Sequence, residues 1–315
     1  MEYVNLKNSG LRVSRIGFGC CPMGGYGWGL VSEEELIEAV HTALDNGINF
    51  FDTADTYGLG VSETTLGKAL GNRRSEAVIS TKFGVVAGKG KTYYDNSPAY
   101  IRKACIASLE RLGTDYIDLY SIHYRDGKTP LAEVVETLDD LRNKGYIRYY
   151  GLSNIDAGHQ EEVRPYLNRF AAFQNEYSLA NRKGEGTVKL YSPYMTPLTW
   201  GSLGQGVLTG KYDRNTVFGQ NDRRSRDVYV NFKGKLEKNL EIVDVMRPIA
   251  ARHGVPVSAV AVRFILDYLA GSVALCGIKR PMHVTDNLKS IGWNLSGEEL
   301  ALLDGVSKES IIGGQ

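Results

Sequence analysis

The sequence predicts an α/β protein built as one (β/α)8 barrel, the TIM-barrel arrangement. Three observations support this fold class. Short β-branched segments alternate with longer amphipathic segments along the whole chain. The short segments are almost continuously apolar, which is typical of parallel strands covered on both faces. Their spacing stays even to the end of the chain, and none is followed by the GxGxxG loop of a doubly wound dinucleotide-binding sheet.

Length and charge are consistent with this architecture. A chain of 315 residues could form two domains, but one such barrel takes about 250 residues plus insertions, so we expect a single domain over residues 1–315. A formal net charge of +1 does not attract nucleic acid or an anionic membrane, and the expected partner is a small molecule. Since no apolar stretch approaches the about 18 residues of a membrane span and the N-terminus does not resemble a signal peptide, we expect a cytoplasmic protein.

The predicted elements begin with a β-hairpin in residues 1–16, where YVNLK and LRVSRI flank Asn8, Ser9 and Gly10. We expect this hairpin to plug the N-terminal end of the barrel. Eight barrel strands follow: IGFGC (16–20), INFFD (48–52), AVISTK (77–82), YIDLYSIH (116–123), YYGLSN (149–154), AAFQNE (171–176), PLTWGS (197–202) and SVALCG (272–277).

Helix starts are marked between these strands. Helices are predicted from Ser32 and from Ser62. Ser97 and Thr129 each precede a proline, so a hydroxyl cap is followed by proline at the first helical position. A long helix is predicted near 236–252.

Two long segments lie outside this repeating pattern. Residues 84–97 follow the third strand and residues 211–235 follow the seventh strand. Both emerge on the face where barrel enzymes carry their active sites. We therefore interpret both as substrate or cofactor loops.

Four polar residues lie at the carboxyl ends of neighbouring strands, which meet at one rim of a parallel barrel. Asp52 ends the second strand, Tyr57 lies in the following loop, Lys82 ends the third strand and His123 ends the fourth. This set indicates an acid–base relay, because a metal site would need more His, Cys or carboxylate ligands. A phenol with a reference pKa of about 10 needs a nearby cation to act as an acid near neutral pH. We expect Lys82 to be that cation and Asp52 to keep it charged.

Single members of this set have other interpretations. Lys82 alone fits a solvated lysine at a strand end, or the Schiff-base nucleophile of an aldolase barrel. His123 alone fits a packed core histidine. The presence of Asp52 and Tyr57 at the same rim favours the relay.

Seven motifs resemble the aldo-keto reductase family, in the family's order and over nearly the whole chain: FFDTADTYGLGVSE, STKFG, DLYSIH, YGLSN, FQNEYS, LGQGVLTGKY and GIKRPMHVTDN. The resemblance implies that Asp52, Tyr57, Lys82 and His123 form a catalytic tetrad, with Tyr57 as the general acid. It implies an NADP(H)-dependent oxidoreductase that transfers a hydride between the nicotinamide and an aldehyde, ketone or sugar lactol. Potassium-channel β subunits share the resemblance, so a cofactor-binding regulatory subunit is an alternative, ahead of the aldolase.

The resemblance also implies the cofactor contacts. Residues of the fifth and sixth strands hold the nicotinamide amide, an aromatic residue stacks on its ring, and a glycine-rich loop covers the pyrophosphate. Lys279, Arg280 and His283 grip the adenosine 2′-phosphate, and the two adjacent cations favour NADP(H) over NAD(H). The full implied set is Ser153, Asn154, Gln174, Trp200, Gly201, Ser202, Leu203, Gln205, Gly206, Lys211, Gly277, Lys279, Arg280, His283, Asp286 and Asn287.

The chain departs from the family pattern mainly where substrate would bind. Tyr124 and Arg125 replace the tryptophan and proline that follow the catalytic histidine in many members, and Gly201 and Ser202 replace a serine–proline pair. We expect aromatic faces to stack on an apolar or sugar-like substrate, and Arg125 to reach a carboxylate or phosphate on it. The expected substrate contacts are Tyr26, Trp28, Tyr93, Tyr94, Tyr124 and Arg125.

Overall fold

A closed barrel of eight parallel strands forms the centre of the protein, and each strand is hydrogen-bonded to the next one along the chain. The predicted (β/α)8 fold is confirmed, and all eight predicted barrel strands are present. The computed structural model describes residues 1–25, 27–28, 31–87, 91–220, 222–226, 231–232 and 234–312.

The strands comprise the barrel and two small antiparallel hairpins, β1–β2 and β6–β7. In chain order they are β1 (Tyr3–Asn5), β2 (Arg12–Ser14), β3 (Ile16–Gly19), β4 (Phe50–Asp52), β5 (Val78–Phe83), β6 (Val85–Ala87), β7 (Thr92–Tyr94), β8 (Ile117–Ile122), β9 (Ile147–Ser153), β10 (Ala172–Glu176), β11 (Thr196–Trp200) and β12 (Val273–Gly277).

Helices connect the barrel strands and cover the barrel. They are α1 (Glu33–Asp45), α2 (Val61–Leu70), α3 (Pro98–Leu112), α4 (Leu131–Asn143), α5 (Gln160–Val163), α6 (Glu185–Tyr191), α7 (Leu236–His253), α8 (Val257–Tyr268), α9 (Pro281–Leu288) and α10 (Gly297–Ile312). Among the described residues, no helix is by itself long and apolar enough to cross a membrane; α7 and α8, bent by 93°, pass that test only as a pair and only by length and composition.

The register of the strands determines which side chains enter the barrel. Asp52 lies opposite Gly19 and Ser80, and Lys82 lies opposite Ser121, so consecutive strands end at one rim. Phe50 belongs to the apolar cluster inside the barrel. Because residues two apart on a strand share a face, Asp52 also points inward, at the carboxyl end.

The N-terminal hairpin closes the opposite end of the barrel. Leu6, Leu11 and Val13 pack in the same apolar cluster as Phe50 and other inward-facing strand residues. The amide of Ser14 donates a hydrogen bond to Asn49 Oδ1 (2.7 Å), just before β4 begins. The hairpin therefore covers the amino ends of the strands and leaves the carboxyl rim open.

Helices begin within two residues of all four predicted starts, and two of them have a serine hydroxyl as N-cap. The Ser32 hydroxyl accepts a hydrogen bond from the Glu35 amide at the start of α1. The Ser97 hydroxyl accepts one from the Tyr100 amide at the start of α3, with proline at the first helical position.

At the other two starts the hydroxyl does not cap the helix, so the cap predicted at Thr129 is wrong. Helix α2 begins at Val61 after a left-handed glycine, and the buried Ser62 hydroxyl donates instead to the carbonyl of Cys20 (2.9 Å). Helix α4 begins at Leu131, and the Thr129 hydroxyl donates to Asp126 Oδ2 (2.7 Å). Each hydroxyl has another acceptor that competes with the helix end, distant in the sequence for Ser62 and three residues away for Thr129.

Candidate active site

One large cavity opens at the carboxyl rim of the barrel. Its volume is about 1460 Å³, above the roughly 300–1,000 Å³ of ordinary small-molecule sites. It is lined by Asp52, Tyr57 and His123 at the barrel mouth and by Lys279 and His283 near the start of α9. The cavity thus connects two chemically different regions of the rim.

A buried ion pair lies at the floor of the cavity. Lys82 is fully buried, and its Nζ donates to both carboxylate oxygens of Asp52 (2.9 and 2.8 Å) and to the carbonyl of Thr53 (2.8 Å). Ser80 Oγ and Gln174 Nε2 also donate to Asp52 Oδ1, at 3.0 and 2.8 Å. Lys82 Nζ is thus surrounded by acceptors for all three hydrogens of an ammonium, and an ammonium has no lone pair for attack on a carbonyl.

Tyr57 lies directly above this pair. The Lys82 Nζ is 5.2 Å from the centre of the Tyr57 ring. Burial raises the pKa of Tyr57 well above its ordinary value, and the Asp52 carboxylate adds to the rise. The pKa of Tyr57 is therefore raised overall despite the nearby Lys82, because Asp52 offsets the lysine charge while burial disfavours the phenolate. Tyr57 is held as a neutral phenol that can donate a proton.

His123 packs against Tyr57 at the same mouth. The two rings meet edge to face, with centroids 6.0 Å apart and an angle of 83° between their planes. Burial lowers the pKa of His123 to about 3, with a further contribution from Lys82. Its Nδ1 is buried without a hydrogen-bond partner among the described residues. His123 is thus a neutral imidazole near neutral pH, with one ring nitrogen unsatisfied.

The other end of the cavity is positively charged. Burial lowers the pKa of Lys279, and the nearby cations Arg224 and Arg280 lower it further. Burial together with Lys279 and Lys211 lowers the pKa of His283 as well. Nearby positive charges that lower the pKa of neighbouring groups in this way indicate a site where a bound anion would be stabilised.

Comparison with known proteins identifies the family. The model of the Aldo/keto reductase family matches residues 15–308. The chain belongs to this family. It is therefore an oxidoreductase of the aldo-keto reductase type, as the motifs implied.

Characterised relatives cover almost the whole chain. Aldo-keto reductase YhdN of Bacillus subtilis is 34% identical over 95% of this chain and 91% of its own length. The NADH-specific methylglyoxal reductase of Escherichia coli is 31% identical over 96% and 97% of the two chains. A probable voltage-gated potassium channel subunit beta of Oryza sativa is 32% identical over 92% and 91%.

Solved structures give the same result. The glycerol dehydrogenase of Gluconobacter oxydans superposes with a TM-score of 0.87 and 33% identity, covering 98% of this chain and 96% of that one. An aldo-keto reductase of Klebsiella pneumoniae in complex with NADPH superposes with a TM-score of 0.73 and 26% identity, over 98% and 96%.

Most cofactor residues implied for this aldo-keto reductase line the cavity, and two do not. Ser153 is buried below the surface, where its hydroxyl donates to the Gln174 carbonyl (3.3 Å). Arg280 points away from the cavity and pairs with Glu35 of α1 (3.1 Å). Of the two adjacent cations, only Lys279 therefore faces the cavity.

Several residues that line the cavity were missed by the sequence analysis, and Arg224 and Glu176 are two charged examples. Arg224, in the 211–235 segment, hydrogen-bonds to Tyr212 and to both carboxylate oxygens of Asp222. Glu176 ends β10 and accepts a hydrogen bond from Gln205 Nε2 (3.4 Å), and burial raises its pKa. Period-two alternation from Gln174 could have identified Glu176, whereas no sequence signal distinguishes Arg224 from the other arginines of its segment.

Gly201 explains one departure from the family pattern. Its backbone is left-handed, with φ +70°, and an added Cβ would lie 3.2 Å from Cγ of Glu176. A serine here would be strained and crowded, since a residue with a Cβ rarely adopts this conformation.

The predicted substrate residues divide into three groups. Trp28, Tyr94 and Tyr124 line the cavity, whereas Tyr93 is outside its described lining and Tyr26 lies outside the described residues.

The expected role of Arg125 at the substrate is wrong. Its guanidinium is buried outside the cavity, where it donates to Asn96 Oδ1 (2.7 Å) and to the Thr129 carbonyl (2.6 Å) and pairs with Glu162. These contacts direct the side chain away from the barrel mouth. Arg125 therefore has a structural role, tying together segments that surround the cavity.

Proposed function

We propose that this protein is an NADP(H)-dependent reductase that transfers a hydride between the nicotinamide and the carbonyl of an aldehyde, ketone or sugar lactol. The observation that carries this proposal is the single cavity joining Tyr57 and His123 at one end to Lys279 and His283 at the other. A dinucleotide needs such an elongated site, with an acid–base group at one end and cations at the other.

The residues present fit this cofactor. Asn154, Gln174 and Trp200 line the cavity beside the barrel mouth and would hold the nicotinamide. The segment Gly201–Lys211 would cover the pyrophosphate. When bound, the cofactor supplies or accepts the hydride.

A 2′-phosphate is the anion that best fits the charged end. Lys279 faces the cavity, and its neighbours Arg224 and Arg280 make its surroundings more positive. His283 Nδ1 accepts a hydrogen bond from the Lys279 amide (3.2 Å), which leaves its other nitrogen to donate. Charge-assisted donors are what a phosphate requires. The Klebsiella pneumoniae relative binds NADPH, whereas the Escherichia coli relative is NADH-specific, so cofactor choice needs direct measurement.

The proton is supplied by Tyr57. In the direction of reduction, the phenol donates from Oη to the carbonyl oxygen as that oxygen gains negative charge. Burial keeps Tyr57 protonated beforehand. The ammonium of Lys82, 5.2 Å from the ring centre, stabilises the phenolate that remains, and Asp52 holds the ammonium in place.

His123 orients the carbonyl. Since its imidazole is neutral, it can donate one hydrogen bond to the carbonyl oxygen without competing with Tyr57 as the proton source. Oxidation of an alcohol uses the same groups in reverse.

Turnover tests this proposal. NADPH and NADH consumption by the purified protein is measured across aliphatic aldehydes, aromatic aldehydes, ketones and sugars. We expect turnover with NADPH preferred. Tight NADPH binding without turnover on any carbonyl would contradict a reductase and favour a regulatory subunit, the class to which the Oryza sativa relative is assigned.

A further inference from the structure

One face of the hairpin β6–β7 forms a wall of the cavity. Its strands are antiparallel, and Val85, Ala87, Thr92 and Tyr94 all line the cavity. Because successive side chains on a strand point to opposite faces, Tyr93 points outward, with 55% of its surface exposed. The two adjacent tyrosines therefore have different environments, although they differ by one position in the sequence.

Tyr94 ends a row of stacked rings that begins at the reaction centre. The His123 and Tyr124 rings are 5.2 Å apart at 25°, and the Tyr124 and Tyr94 rings are 5.1 Å apart at 18°. Tyr124 thus has a neighbouring ring on each face, so a substrate meets mainly its edge. Tyr94 has no second ring stacked on it among the described residues, and 44% of its surface is exposed.

The hairpin is anchored to the segment that carries these rings. Asn96, directly after the hairpin, is fully buried, and its Nδ2 donates to the Tyr124 carbonyl (3.1 Å) while its Oδ1 accepts from Arg125 Nη1 (2.7 Å). On the first strand, the Val85 carbonyl accepts a hydrogen bond from Tyr100 Oη (3.3 Å). Tyr94 is therefore held at a defined distance from the reaction centre.

We propose that Tyr94 is a specificity-determining residue that binds the distal part of the substrate, and that the substrate class is carbonyl compounds with an apolar group several carbons from the carbonyl. This inference rests on the proposed reductase function. Three ring-to-ring steps of 5.1 to 6.0 Å lead from Tyr57 to Tyr94. A carbonyl compound of three carbons bound at Tyr57 is shorter than one of these steps, whereas an added phenyl group extends along the row toward Tyr94 and would bury apolar surface against it.

A matched pair of aldehydes isolates this contact. Propanal and 3-phenylpropanal have the same reacting end, and only the second carries a distal apolar group. The quantity measured is the ratio of kcat/KM for 3-phenylpropanal to that for propanal. We expect a ratio of about tenfold or more in the wild-type protein, the scale on which apolar pockets discriminate.

Four variants locate the source of the ratio. Tyr94→Ala should reduce it about fivefold, because the distal contact is lost, whereas Tyr94→Phe should preserve it. Tyr93→Ala removes the same side chain one position away on the outer face and should leave the ratio unchanged. Tyr94→Thr provides a second truncation with high strand propensity if the alanine variant does not fold.

The outcomes separate this inference from the proposed function. Turnover of both aldehydes with a wild-type ratio near one, or an equal effect of Tyr93→Ala and Tyr94→Ala, would overturn the role of Tyr94 and leave the reductase assignment intact. Absence of turnover on both aldehydes, with turnover on ketones or sugars, would overturn the role of Tyr94 alone, and absence of turnover on every carbonyl of the wider panel would overturn both.

Discussion

The two ends of the cavity are built in different ways. At the barrel mouth, Asp52 and Lys82 lie on neighbouring strands, are almost fully buried, and are held by a complete set of hydrogen bonds. At the other end, Lys279, His283 and Arg224 come from a loop, a helix and the 211–235 segment and are only partly buried. Lys279 and Arg224 are cations, and burial together with Lys279 and Lys211 lowers the pKa of His283. The mouth has balanced charges as it stands, whereas the far end accumulates positive charge that an anionic ligand would neutralise.

This difference suggests separate roles for the two ends, with the reaction at the barrel mouth and ligand binding at the far end. Groups at the mouth are preorganised by strand register, so their geometry does not depend on a ligand. Under the proposed function, groups at the far end would mainly contribute binding energy. Substitutions at the mouth should therefore reduce turnover or stability strongly, and those at the far end should change cofactor affinity more modestly.

The largest effect is expected for Tyr57→Phe. Removing the hydroxyl should lower kcat by about 10²- to 10⁴-fold, the usual contribution of a general acid. Cofactor affinity and thermal stability should be nearly unchanged, because the ring remains. Tyr93→Phe, the same substitution on the outer surface, is the control. If Tyr57→Phe retains wild-type kcat, Tyr57 is not the proton donor.

Lys82→Met should strongly destabilise the fold. It leaves the Asp52 carboxylate buried without its partner, which typically costs about 3–5 kcal/mol in free energy of unfolding. Urea denaturation measures this loss. The double variant Asp52→Asn with Lys82→Met should recover much of it, and a double variant as unstable as Lys82→Met alone would show that burial of an unpaired charge is not the cause.

At the charged end, substitutions of the adjacent residues Lys279 and Arg280 should differ in their effect on the KM for NADPH. Lys279→Ala should raise the KM for NADPH about tenfold, the scale of one charge-assisted hydrogen bond, with a smaller change for NADH. Arg280→Ala should have little effect, because its side chain pairs with Glu35 outside the cavity. Steady-state kinetics with both cofactors tests this, and a larger effect for Arg280 than for Lys279 would contradict the placement of the two side chains.

The remaining expected effect concerns pH. The pKa of His123 is lowered to about 3 in the folded protein, whereas an unfolded histidine titrates near about 6.5. As pH falls below about 6.5, the unfolded chain gains a proton that the folded chain does not, so His123 contributes to the loss of stability down to about pH 3. In His123→Gln, urea denaturation at pH 7, 5.5 and 4 should show a shallower loss than in the wild-type protein. Equal slopes would mean that His123 is protonated in the folded state.

The sequence by itself determined the barrel and the set of polar residues at the centre of its carboxyl rim. The eight strands could be predicted because burial on both faces requires nearly continuous apolar segments. The convergence of Asp52, Lys82 and His123 could be predicted because parallel strands end at one rim and successive side chains alternate in direction. These are local rules, and they need only the position of each residue on its strand.

Tertiary structure alone decided where the long side chains of loops and helix ends point. Arg125 turns toward Glu162, Arg280 toward Glu35, and the Ser62 hydroxyl toward Cys20, each partner being distant in the sequence. The direction of the pKa shift of Tyr57 likewise depends on burial and on how completely Asp52 offsets Lys82. Each of these outcomes is a competition among neighbours that only the folded chain brings together, and local sequence rules contain no information about those neighbours.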